Sequence, residues 1–163
     1  MSAPGGKLQT ALDRLETALK LGAVLLAFLM LGSLTLQVFM RYVFGQALSW
    51  SEELALLWFA WLIVFTSAVG FRRMTHARMT LLLDLLPPAG RRAGERMIAV
   101  LVLLLSVYLA YGGWGYFYET MDTVSPALGY PMGYLYAAAP AFAVLMAVFS
   151  CERLVNAGQG LDE

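Results

Sequence analysis

Four runs of this chain are apolar enough to cross a membrane, and none contains Asp, Glu, Lys, Arg or His. They are 21–40, 54–71, 97–118 and 132–151. About 20 apolar residues span the roughly 30 Å of hydrocarbon in a bilayer. The runs are continuous rather than alternating, and every backbone group must be paired inside lipid, so helix is expected and strand is not. The 60% hydrophobic, 13% charged composition agrees, since no water-soluble surface could be built from it. The expected fold is an all-α membrane protein with four transmembrane helices in a domain over 21–151. A leader, 1–20, precedes it and a tail, 152–163, follows it.

Orientation follows from basic residues. Ten of the eleven Lys and Arg lie in the leader, the second connection and the tail, and the eleventh is Arg41 in the first connection. The third connection has only Glu119 and Asp122. Both termini are therefore expected on the cytoplasmic side. About twenty mixed-charge residues precede the first span and no small-residue cleavage site follows it, so it does not read as a signal peptide.

Two further amphipathic helices are expected at the membrane interface. In the leader, Leu8, Leu12, Leu15 and Leu19 recur at helical spacing, with Lys7, Asp13, Arg14, Glu16 and Lys20 between them. A plain extension of the first span fits that pattern equally well. In the second connection, leucines 81–83, 85 and 86 end at Pro87 and Pro88, between basic residues. Arg72, Arg73, Arg78, Arg91 and Arg92 are candidates for contact with lipid phosphates. An ordinary positively charged loop is the alternative.

The charge-free spans narrow the chemistry. A coupled transporter places ionisable groups or unwound helices near the midplane, and a haem anchor uses two axial histidines. His76, the single histidine, lies in the second connection, and Cys151, the single cysteine, has no His near it in sequence. No cluster has metal-ligand spacing, and nothing resembles an activated nucleophile. The chain reads as a non-enzymatic membrane component with no cofactor of its own. Two roles stay open: a transporter subunit, or the membrane anchor of a redox or other enzyme complex.

Finer features point to helix contacts. Ala139 and Ala143, with Ala147, form a small-residue stripe that admits a close neighbour. Pro140 is expected to kink the fourth span. Gly112, Gly113 and Gly115 sit among aromatics near the outer end of the third span. Internal packing and an interface with another protein both account for these residues.

The first hairpin, Arg41–Leu54 (RYVFGQALSWSEEL), carries Arg41, Trp50, Glu52 and Glu53. Ser49 and Glu52 match a capping box, and carboxylates suit the first turn of a helix. An ion pair from Arg41 to Glu52 or Glu53 would complete a purely structural reading. Contact with a partner is the other. Trp58 and Trp61 share a helical face with Leu54 and Phe65, against either the partner or the chain itself.

The order of these motifs resembles the small membrane subunit of tripartite ATP-independent periplasmic (TRAP) transporters, the DctQ-like family. Arg41-Tyr42, Trp50-Ser51-Glu52-Glu53, Trp58 and Trp61, Ser67-Ala68, Arg72-Arg73, His76, Leu85-Leu86-Pro87, Pro131, Gly133-Tyr134 and Pro140 carry the likeness. The leader before about Leu19 carries least. The resemblance implies a scaffold paired with a much larger membrane subunit that holds the substrate and sodium sites and moves like an elevator. A periplasmic binding protein would deliver an organic acid such as a dicarboxylate, a keto acid or sialic acid.

Overall fold

The computed structural model describes residues 4–46, 48–73 and 88–159. It holds α1 (Pro4–Val43), α2 (Ser49–Arg72), α3 (Pro88–Glu119), the short α4 (Gly133–Tyr136) and α5 (Ala138–Gln159). Four stretches, in α1, α2, α3 and in α4 with α5 together, are long and apolar enough to cross a membrane, over Gln9–Val43, Ser49–Arg72, Arg96–Glu119 and Gly133–Leu154. His76, Arg78 and the leucine-rich part of the second connection lie outside the described residues.

The leader does not form a separate helix. It is the first part of α1, which runs unbroken for 40 residues. Leu12 and Leu19 are buried in a cluster with Ala68, Phe71 and Phe149, and Leu15 packs against it. The leucine stripe is thus satisfied by α2 and α5 rather than by the membrane surface. α1 ends where Gly45, at φ +68°, turns the chain and Gln46 N–H returns to Met40 O at 3.2 Å.

α2 begins one residue earlier than the capping box requires. Its N-cap is Leu48, with no side-chain cap bond, so Ser49 is already helical. The fully buried Ser51 hydroxyl instead donates to Leu48 O at 2.8 Å.

The fourth span is broken rather than kinked. Pro140 has no N–H to give and its ring would strike the carbonyl four residues back, that of Tyr136. The break falls just after that carbonyl, at Ala137, between α4 and α5. Pro140 then occupies the first turn of α5, where a missing N–H costs nothing. Ala137 N–H to Gly133 O at 2.7 Å keeps the two pieces joined.

The helices form an open row, not a closed bundle. α1 packs on α2, α2 on α5, and α5 on α3, with α4 wedged against α2, α3 and α5. Among the described residues, no Cα of α1 comes within 8 Å of one in α3 or α5. The row explains burial. Only 6% of the α1 span and 11% of the α3 span are buried within the chain, against 22% for α2 and 28% for the α4–α5 span. The two outer helices present long apolar faces, with Leu25 and Phe28 on one and Leu101, Leu104 and Tyr108 on the other all exposed.

Candidate functional site

The polar chemistry gathers into two clasps at opposite ends of the α2–α5 seam. Glu53 and Arg72 mark them. They are separated on α2 by about 29 Å at 1.5 Å per residue, which matches the thickness of the hydrocarbon core. The clasps therefore lie at its two edges, and the seam between them is free of charge.

The first clasp centres on Arg72, whose side chain is 11% exposed. Its Nε donates to Glu152 Oε2 and its NH2 to Glu152 Oε1, both at 2.9 Å. NH2 also reaches Asp13 Oδ1 at 2.7 Å, and NH1 reaches Glu16 and, at 3.1 Å, Leu12 O. One guanidinium thus joins α1, α2 and α5, using the planar fork that suits carboxylates. Glu16 additionally accepts from Arg73 and Lys20. Arg72 lies 5.7 Å over the Phe149 ring, and Arg153 lies 4.2 Å over Phe71 while donating to Phe71 O.

The second clasp centres on Glu53. Its carboxylate accepts from the Ser125 hydroxyl, from Ala127 N–H at 2.9 Å and from Leu128 N–H at 3.0 Å. The loop is shaped for this. Gly129 takes φ +71°, Ser125 and Tyr130 are joined at 2.9 Å, and Met132 N–H closes onto Thr123 O at 2.8 Å. Successive N–H groups of such a turn form an anion-binding concavity. Burial pushes the nearby Tyr130 phenol above its ordinary value, and the Glu53 charge adds to the shift. Trp61 Nε1 donates to Tyr134 O at 3.1 Å on the same seam.

This geometry changes several sequence expectations. Arg41 pairs with neither glutamate. Glu52 accepts from Gln37 of α1, and Glu53 faces the third loop. Arg72 is turned inward among carboxylates and is not offered to lipid phosphate, whereas Arg73 is exposed. Arg91 and Arg92 lie near the start of α3, which begins at Pro88, and Arg78 is outside the described residues. Ala143 is buried inside the chain, while Ala139 lies against α3 at Gly113. Trp50 and Trp58 are half-buried.

Sequence reasoning passed over Glu152 and the Ser125 loop, and placed Glu16 only among the charged residues of the leader. A signal existed for the first two. Arg72 and Glu152 are opposite charges directly beyond two spans, and Ser125-Pro126 followed by Gly129 marks a tight turn. Among the described residues no group of His, Cys, Asp and Glu could hold a metal ion.

Comparison with known proteins gives this arrangement a family. Residues 30–160 match the family described as tripartite ATP-independent periplasmic transporters, DctQ component. The chain is 30% identical over 115 residues to the C4-dicarboxylate TRAP transporter small permease protein DctQ of Vibrio cholerae, covering 63% of this chain and 49% of the relative. It is 28% identical over 140 residues to the ectoine TRAP transporter small permease protein TeaB of Halomonas elongata, covering 83% and 69%. Against the sialic acid TRAP transporter permease protein SiaT of Haemophilus influenzae it is 29% identical over 115 residues, 71% of this chain but 19% of that protein. The chain thus spans about half the length of one of these relatives and a fifth of another. The chain belongs to the DctQ family of TRAP transporter small permease subunits, which are multi-pass inner-membrane proteins and not enzymes.

Proposed function

We propose that this chain is the static scaffold of a TRAP importer, holding a larger transport subunit in the membrane while that subunit moves substrate with sodium. The observation that carries this reading is the combination of charge-free spans with polar clasps only at the two membrane edges. Such a chain has nothing with which to couple an ion at the midplane, but it resists splaying at both surfaces. Its open row leaves the apolar faces of α1 and α3 for a large apolar partner. The match to one fifth of SiaT supports a partner of much greater length, because a region similar to this chain occurs there within a single longer permease.

On this reading sodium and substrate bind in the partner, and this chain holds no cofactor. A small organic solute that carries a carboxylate is the substrate class, since the names of three relatives specify a C4-dicarboxylate, sialic acid and ectoine. Both termini face the cytoplasm by the distribution of Lys and Arg. The Glu53 loop and Arg41 then lie on the periplasmic side, where a binding protein docks transiently. Arg73, Arg78, Arg91 and Arg92 meet lipid phosphates on the other side. Trp50, Trp58, Glu52 and Ala139 remain candidates for the partner interface.

The test is uptake into liposomes. With the co-purified large subunit and the binding protein, a sodium gradient should drive uptake. The chain alone should give none, and sodium-driven uptake by the chain alone would overturn the scaffold role.

A further inference from the structure

The outer end of α3 carries an open groove of about 670 Å³ that neither clasp uses, lined by Tyr111, Gly112, Trp114, Gly115, Tyr116 and Glu119 among others. Gly112 and Gly115 form its floor. A Cβ added at either would meet nothing within 4 Å, so the space above them is unfilled by the chain. The walls are aromatic and held in place. The Trp114 ring lies 5.6 Å from Tyr118 and 5.9 Å from Phe117, and Tyr116 lies edge-on to Tyr136 at 4.7 Å. Glu119, the last residue of α3, stands at the mouth, and its side chain is exposed.

Depth and charge identify the occupant. The groove covers the last ten residues of α3, about 15 Å of helix, from the interface down into one leaflet. The connection that follows holds Glu119 and Asp122 and neither Lys nor Arg. The mouth is therefore anionic with no cation in that connection, and it is walled by π faces that attract ammonium groups. An apolar trough below an anionic, aromatic mouth complements a lipid whose headgroup ends in a cation.

We propose that this groove binds one phospholipid with an ammonium headgroup, the ethanolamine type, with an acyl chain over Gly112 and Gly115 and the ammonium between Trp114, Tyr116 and Glu119. An anionic headgroup such as phosphatidylglycerol is disfavoured at the same place by Glu119. The lipid covers only the outer end of α3, and the rest of the exposed α3 face, with Leu101, Leu104 and Tyr108, stays free for the larger subunit.

Native mass spectrometry of the full-length chain, delipidated and titrated with phosphatidylethanolamine or phosphatidylglycerol, tests this. A carboxylate and aromatic contact at a wet rim should favour the ethanolamine lipid about fivefold. Glu119→Gln should bring that ratio near one. Gly112→Leu with Gly115→Leu should displace the lipid while leaving the helices intact, because both positions open to empty space. Equal retention of both lipids by the unsubstituted chain, or an unchanged ratio in Glu119→Gln, would overturn the proposal. So would a Gly112→Leu, Gly115→Leu chain that binds lipid normally but no longer co-purifies with the large subunit, since the groove would then take a partner helix.

Discussion

Arg72 and Glu152, eighty positions apart, face each other in a two-pronged pair with both N–O distances at 2.9 Å. Both side chains are 11% exposed. Removing the cation leaves Glu152 and Glu16 together without their shared counter-charge. Arg72→Ala should therefore cost about 2–3 kcal/mol, below the figure for a fully buried pair because both side chains keep some exposure. Arg72→Lys should recover only part, since an ammonium cannot form both prongs at once. Thermal unfolding of the purified chain in one detergent checks the order.

Glu53 makes a separate prediction about the opposite end. Its carboxylate collects one hydroxyl and two backbone N–H groups of a single loop. Glu53→Gln keeps the shape but loses the charge that strengthens those bonds. The Ala127 and Leu128 amides should exchange with solvent faster in Glu53→Gln than in the native chain, and faster again in Glu53→Ala. Ser125→Ala should have the smallest effect, because both amides keep their acceptor. Amides elsewhere on α2 should be unaffected.

Three glycines of α3 should respond oppositely to one change. A Cβ at Gly113 would sit 3.1 Å from Pro140 Cδ and 3.2 Å from Pro140 N, atoms fixed in a ring and a backbone. Gly113→Ala should cost about 1–2 kcal/mol by overpacking the α3–α5 crossing. At Gly112 and Gly115 the same methyl meets open space. Those substitutions should be neutral or stabilise by up to about 1 kcal/mol through helix propensity. Melting curves of the three single variants decide it.

Arg41 is exposed and takes no part in an ion pair among the described residues. Arg41→Glu should change the stability of the isolated chain by less than about 0.5 kcal/mol. Loss of co-purification with the large subunit in that variant would therefore report a contact with a partner. Unchanged assembly and uptake would mean that Arg41 serves only the membrane surface.

The sequence by itself determined that this chain is a four-span helical membrane protein without ionisable groups in its spans. That much is a local property: apolar length and backbone pairing in lipid leave one solution per segment. Motif order carried the family likeness for the same reason. Tertiary structure alone decided how the spans stand together. Four apolar helices could close into a bundle or stand in a row, and lipid, being as apolar as leucine, does not choose between them. The choice rests on contacts distant in sequence. Arg72 finds Glu152 and Glu16 rather than lipid phosphate, Glu53 finds the Ser125 loop rather than Arg41, and Gly113 admits Pro140. Each of these is legible as a residue type and a depth, but its partner depends on which helices are neighbours, and helical periodicity does not encode that.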